Sequence, residues 1–590
     1  MGKSYVILKD APIMDYMTDY VALPKNYGTY EYFNREDVKA IRETVFAALD
    51  DLDARTGLTE EVKGYKKVII KPNLVNVYHK AGFAEEDYPE TTDPRVFEAV
   101  VNWFRDRNDH VIIAESSGKP FPASASFVIT GYDRIAKHYG CELVPLERRP
   151  VVRYMLPKAE VMKEILIPDT FDDIVNGDAF YVSVPKMKTN IYTGVTLGFK
   201  NAMGTIPYFL RERNHTHDIN KKLADMLYLF KPNCTVIDGI IGGEGNTPAP
   251  VDPVDVHMIV ASNQSVEADR ITTYMMGFDP DENKLIQEAD KRGFGDKDVE
   301  IIGNVRVTPF RPACPSLMRG ELHEKYPNVV AVAGHTINGA PEITDPNSVT
   351  PDQAFALEQA CVGGCLSSVG FGFACDDQSK TSHYDVKLMV IEGSGVPING
   401  TRYWFDRDGK PYTKEDIFNS GYRTMAMGMC TGEDMLAEAT FPIKRCCDPA
   451  ECLNAVSNSL GTVTSQLNPV TNTSLVPVAV PKLLSTLYWR SKWILQGKAV
   501  DVPQEHGDKI WELPALSPED AQKNYISWPV PPLTTQQKIS GITDMLNLAE
   551  SLTGMFGMIK YYTKYLPVLP LRQIKEMTSR RETGGRFVFE

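Results

Sequence analysis

The residues best suited to chemistry lie in VPKMKTNIYTGVTLGFKNAMG, Val184 to Gly204. Lys186, Lys188 and Lys200 share it with Thr189, Asn190, Thr193, Thr196 and Asn201, and glycines stand at 194, 198 and 204. Ammonium groups attract an anion, small hydroxyls and amides orient it, and glycine lets bare backbone approach it. The chemistry to expect is the binding of a carboxylate or a phosphate. Read alone, the stretch is as well explained as a solvated loop with ordinary surface lysines. Three further stretches change that balance. KKVIIKPNLVN carries Lys71 and Asn73, HVIIAESSG carries Glu115, Ser116 and Ser117, and CTVIDGIIGGEGNTP carries Asp238, Glu244 and Asn246. Lys186, Lys188, Glu115, Asp238 and Glu244 are the catalytic candidates, the carboxylates as proton carriers. Lys71, Asn73, Ser116, Ser117, Thr189, Thr193, Lys200, Asn201 and Asn246 are the binding candidates.

Each polar group follows a short apolar run: Val68-Ile69-Ile70, Val111 to Ala114, Ala179 to Pro185 and Cys234 to Ile237. Such runs read as buried strands. Pro72 stops ladder pairing and marks one strand end. Amphipathic stretches alternate with the runs. Val38, Ile41, Val45 and Leu49 recur at helical spacing between Asp37 and Asp53, and Asp93-Pro94 reads as an N-cap and first turn. Helices are expected near Tyr132 to Tyr139, Asp218 to Phe230 and Val266 to Met276. The alternation predicts an α/β fold, a mostly parallel sheet flanked by helices. The C-terminal ends of its strands then share one edge, where open α/β sheets bind ligands. Neither a dinucleotide fingerprint nor a phosphate-binding G-x-x-x-x-G-K-[ST] loop occurs at these turns. His215-Thr216-His217-Asp218 could supply metal ligands, but a turn with a capping Asp218 explains it as well.

A second constellation is made of cysteines. Cys361 and Cys365 flank a Val-Gly-Gly turn, Cys430 closes MAMGMC, and Cys446 and Cys447 precede Asp448-Pro449. Cysteines in glycine- and proline-bearing loops suit an iron–sulfur cluster, whose sulfurs need backbone N–H donors. Cys361, Cys365, Cys430 and one of Cys446 and Cys447 make a four-ligand set. Zinc fits four thiolates equally by count, and a redox dithiol is a third option. Cys141, Cys234 and Cys314 are scattered and read as structural, whereas Cys375 and Cys452 fit either role.

The chain of 590 residues is long for one domain. We expect an α/β domain over 1–310, a linker or crossover over 311–350, a cysteine-rich second α/β domain over 351–465 and a helical C-terminal extension over 466–590. A net charge of −14 argues against nucleic acid as a partner. MGKSYVILKD has too few apolar residues for a signal peptide, and no apolar run approaches bilayer length. Ten cysteines in such a length fit a reducing cytoplasm. A helix expected over Ser540 to Tyr565 carries Leu546, Leu552, Met555, Phe556 and Ile559. It suits docking onto the body, which is the default, pairing with a partner, or peripheral contact with a membrane; a homo-oligomer is compatible with the chain.

VIIKPNLVN, the Thr-Asp-Pro before a helix, VIIAESSG, VPKMKTNIYTGVTLGFKNAMG and TVIDGIIGGEGNTP occur in this order. Together they resemble the domain-of-unknown-function 362 family over about the first 310 residues. The resemblance implies fold and site rather than substrate, and iron–sulfur association is often suggested for that family. The chain lacks the C-x2-C-x2-C repeat of ferredoxin-bearing members, and its 361–452 region looks like the cysteine-rich end of longer ones. The expectation is an iron–sulfur oxidoreductase or electron-transfer protein with one 4Fe–4S cluster, acting on an anionic small molecule and served by an electron-donor protein. A flavin bound without a fingerprint is compatible with it. Two rivals stand: a non-redox acid–base enzyme of isomerase or lyase type with structural zinc, and a maturation factor that binds a cofactor or transfers metal or sulfide.

Overall fold

Val68-Ile69-Ile70, Val111-Ile112-Ile113 and Tyr181-Val182 have no solvated face, which is the pattern of parallel strands covered on both sides. The computed structural model describes residues 3–17, 22–75, 89–116, 122–207, 209–211, 218–248, 251–296, 298–337, 339–378, 386–445, 449–460, 476–502 and 513–543. The first twelve strands are β1 (Tyr5–Asp10), β2 (Lys67–Pro72), β3 (Val111–Glu115), β4 (Glu142–Pro145), β5 (Val151–Met155), β6 (Glu164–Pro168), β7 (Ala179–Val184), β8 (Lys186–Asn190), β9 (Gly194–Thr196), β10 (Cys234–Glu244), β11 (Asp252–Ser262) and β12 (Glu300–Ile302). A ten-stranded sheet runs β12-β1-β11-β10-β7-β2-β3-β4, with β8 attached to β10 and β9 to β8. Strands β10, β7, β2, β3 and β4 are parallel, and β11 is antiparallel to both of its neighbours.

Helices Glu36–Thr56 and Pro94–Arg105 cover one face. They bring Val38, Ile41, Val45, Val96, Val100 and Phe104 onto Val68, Ile70, Ile113 and Val182. Asp93 caps the second helix by accepting from the Arg95 N–H at 2.8 Å, and Pro94 starts it. On the other face Ile69, Ile112 and Tyr181 pack in one cluster with Phe171, Ile219 and Phe230.

Pro185 decides where the lysines go. Strand β7 keeps register with β2 up to Val184, and proline has no N–H to extend the ladder. The chain crosses to β10 instead: the Asp238 N–H donates to the Pro185 carbonyl at 2.9 Å, and Lys186 and Lys188 pair with Asp238 and Gly243. Residues Lys186–Asn190, expected to open a loop, are therefore a buried strand, and β9 returns antiparallel to it.

A second sheet holds β13 (Val329–Ala333), β14 (Leu388–Glu392), β15 (Val396–Ile398), β16 (Thr401–Phe405), β17 (Pro411–Tyr412), β18 (Arg423–Met427) and β19 (Phe441–Ile443). Its order is β15-β16-β13-β14-β18-β19, parallel from β13 to β19, with β17 on β16. Strand β13 falls inside 311–350, so the stretch expected to be a linker or crossover supplies a central strand. Its five small apolar residues are hidden among prolines that break any longer pattern. Helix Cys365–Gln378 packs on helix Pro449–Leu460, where Gly372 admits Val456; a Cβ at 372 would stand 2.9 Å from Val456 Cγ2.

The C-terminal part returns to the first sheet's unit. Helix Val476–Leu495 is stapled by buried Arg490, which donates to the Gly541 carbonyl at 2.7 Å and the Glu147 carbonyl at 3.1 Å. Strand β20 (Ile526–Trp528) pairs antiparallel with β5, making a three-stranded sheet with β6. Of the helix expected over 540–565, only residues up to 543 are described, at the end of helix Thr535–Thr543. No helix among the described residues is long and apolar enough to cross a membrane.

Candidate functional site

Two buried ion pairs form the floor of the site. Lys71, from the end of β2, meets Glu115, from the end of β3, at 2.9 Å, and each is nearly sealed from solvent. Burial pulls the Lys71 ammonium down and Glu115 opposes that shift. Lys71 also donates to Asn201 Oδ1 at 3.0 Å, and Asn73 Nδ2 reaches the same oxygen at 3.3 Å. Glu115 in turn accepts from the Leu74 and Ser116 N–H groups at 3.2 and 2.7 Å. Gly204 is required here, because a Cβ would stand 2.5 Å from Glu115 Oε1 and 2.6 Å from Lys71 Nζ.

Lys186 and Asp238 pair at 2.9 Å across β8 and β10, both fully buried. Burial pushes the Asp238 carboxyl up while Lys186 opposes it. The same carboxylate accepts from the Asp93 N–H at 2.7 Å, which locks the helix Pro94–Arg105 to the strand ends. Asp93 continues to Arg95, and Arg95 to Asp37, each at 2.7 Å.

Above these pairs stand two more lysines, with the buried Glu90 carboxylate acting on Lys188. Lys188 donates to the Glu90 carbonyl at 2.6 Å, and burial draws its amine down to about 8. Lys200 sits in the short helical turn Lys200–Thr205 with 8% of its surface open. No hydrogen bond or ion pair is recorded for it among the described residues. Burial, then Lys188, Lys71 and Arg211, draw its amine down to about 7. Arg211 is a cation that the sequence reading missed: polar neighbours in RERN disguise it, yet it is 8% exposed and donates to the Ser116 carbonyl. Two acceptor-capable atoms stand open in the same region. Ser116 Oγ and Asn73 Oδ1 are buried with no hydrogen-bond partner among the described residues. Buried polar atoms are rarely left so, and water or a bound molecule can satisfy them. Ser117 lies outside the described residues, as does His217.

Other predicted residues serve the frame. Thr189 Oγ1 donates to the Gly245 carbonyl at 2.7 Å, and Thr193 Oγ1 to Val195 O at 2.8 Å. Glu244 accepts from the Arg311 N–H at 2.7 Å, and Asn246 Oδ1 from the Cys314 N–H at 2.7 Å. These last two tie the first unit to the segment leading into the second. Asp269, not anticipated, accepts from the Gly198 and Phe199 N–H groups at 2.6 and 3.1 Å and shapes the turn before Lys200.

The cysteine unit packs directly on this region. Ser367 Oγ donates to the Ile191 carbonyl at 2.8 Å, and Ser368 Oγ lies 3.1 Å from the Tyr192 hydroxyl. At the head of that helix the Cys361 sulfur takes hydrogen bonds from Cys365 and His335 and from the Leu366 backbone, which hold its thiol well below the usual range against burial. Beside them Glu392, at the end of β14, is fully buried with neither carboxylate oxygen partnered among the described residues, and burial pushes it well up. Cys361 and Cys365 therefore suit a thiolate-bound group, in a setting of N–H donors. Cys430 is exposed at the turn after β18, and Cys446 and Cys447 lie outside the described residues. No group of three or more His, Cys, Asp or Glu among the described residues is arranged to hold a metal ion.

Residues 68–274 match the family model described as Domain of unknown function (DUF362). The matched span begins in β2 and ends in the helix after β11, so it contains every strand end that builds the lysine site. A thylakoid-associated protein of Synechocystis sp. is 25% identical over 244 residues, which is 39% of this chain and 68% of that protein. No solved structure matches the chain.

Proposed function

We propose that this DUF362 unit binds a small carboxylate- or phosphate-bearing molecule at Lys200, and that the chain is an iron–sulfur oxidoreductase acting on it. The observation that carries the binding site is Lys200: a nearly buried lysine with three cationic neighbours and no acceptor among the described residues. An anion placed there would meet Lys188, Lys200 and Arg211, with Ser116 Oγ and Asn73 Oδ1 left to orient the rest of the molecule. Glu115 and Asp238 are committed to ion pairs, so they support the site rather than serve as open bases. Cys361 and Cys365, with Cys446 or Cys447 from outside the described residues, would hold a cluster that supplies electrons when bound; Cys430, expected as a further ligand, is exposed at its turn and not grouped with them among the described residues. The contact of the cysteine helix with Ile191 and Tyr192 supports a redox unit serving this site. An acid–base enzyme with structural zinc is the second reading, favoured by two lysine amines drawn toward neutrality. We place the protein in the cytoplasm, with peripheral membrane contact in keeping with the thylakoid association of the Synechocystis relative.

Anaerobic purification with iron, zinc and sulfide analysis separates the two readings. About four iron and four sulfide per chain, lost on Cys361→Ser, is the expected outcome. One zinc without sulfide would favour the acid–base enzyme.

A further inference from the structure

We infer that Lys200 is the amine of a Schiff-base site for a small oxo acid, a molecule carrying a carboxylate beside an aldehyde or ketone carbonyl. This rests on the anion site proposed above and names its substrate class. The argument is one of arrangement. Lys71 has Glu115, Lys186 has Asp238, and Lys188 has the Glu90 carbonyl. Among the described residues Lys200 alone of the four has no hydrogen-bond or ion-pair partner, and the charges acting on it are those of Lys188, Lys71 and Arg211, at 8% exposure. A buried ammonium among like charges is costly, so a large share of the group is free amine at neutral pH. An uncharged primary amine is a nucleophile, and neighbouring cations are a known way to make one at neutral pH. The draw of its pKa to about 7 agrees with this.

The surroundings suit each part of such a substrate. Lys188 and Arg211 are placed to hold the carboxylate. The Lys200 lone pair adds to the carbonyl carbon, the C=O π pair moves to oxygen, and a proton passes from nitrogen to that oxygen to give a carbinolamine. Loss of water leaves the imine. The sum is amine plus carbonyl giving imine plus water, with no oxidant or reductant consumed. Ser116 Oγ and Asn73 Oδ1, both open, can donate to and accept from the oxygen that leaves as water.

The test uses the full chain with pyruvate, glyoxylate or 2-oxoglutarate, each with sodium borohydride, followed by peptide mass spectrometry. The expected result is one reduced adduct, on the Lys200 peptide and absent from Lys200→Arg. At pH 7 its amine fraction exceeds that of an ordinary lysine about a thousandfold, so labelling should rise with a midpoint near 7 rather than near 10.5. Inorganic phosphate binding, measured by calorimetry on the same protein, reads the anion site separately. Phosphate binding without any Lys200 adduct overturns the Schiff base and leaves the anion site. Absence of both overturns the two together. Adducts spread over surface lysines also overturn the proposal. Mapping on the wild-type chain locates the adduct even if the Lys200→Arg protein does not fold.

Discussion

Lys71 and Glu115 show what a single residue contributes here: their 2.9 Å contact is built from groups 44 positions apart and sealed by Gly204. Removing one partner strands the other charge. Glu115→Gln should destabilise the fold by about 3–5 kcal/mol in denaturant melts, and Lys71→Met combined with it should recover much of that loss. Full stability in the single variant would show that water reaches the pair. The residue types were legible in the sequence, because lysines, amides and hydroxyls follow apolar runs. Their pairing was not. Lys71 finds Glu115, and Lys186 finds Asp238, only because sheet order sets β2 beside β3 and β8 beside β10. Arg211 carried no signal beyond its charge, and the isolation of Lys200 depends on which neighbours already have partners.

Elements explain why the site is buried. Strands were readable from their β-branched runs, and Asp93-Pro94 announced its helix. Strand β8 was not readable, since Lys-Met-Lys-Thr-Asn looks like a solvated loop; its polar groups are buried by ion pairs and backbone carbonyls rather than by apolar contact. Strand β13 was hidden for the opposite reason, being too short and too close to prolines to show a period. The docking of helix Cys365–Gln378 depends on Gly370, where a Cβ would stand 2.7 Å from the Pro315 carbonyl. Gly370→Val should cost about 1–3 kcal/mol and should make Cys361 and Cys365 more accessible to a thiol reagent. Unchanged thiol accessibility would mean that the helix is held by its serine contacts alone.

At the scale of the molecule, helix Cys365–Gln378 of the second unit meets Ile191 and Tyr192 of the first, and the C-terminal part closes back on the first unit through Arg490 and β20. The family resemblance reached the fold and leaves the substrate open, because substrate choice rests on which buried atoms are left without partners. The charge state of Lys200 couples the site to global stability. Its amine is drawn to about 7 in the folded chain against 10.5 for a free lysine, so between these values the unfolded state binds more protons. Stability therefore rises with pH across that window. Lys200→Met should stabilise the protein by about 2 kcal/mol or more at pH 6, and the gain should fade toward pH 10.5. A pH-independent difference would mean that Lys200 stays charged. The most direct measurement is anomalous diffraction from crystals of the full chain grown with selenate. The anion site predicts a selenium peak within hydrogen-bond reach of Lys200 Nζ, beside Lys188 and Arg211. Selenate bound elsewhere, with none at Lys200, would contradict it.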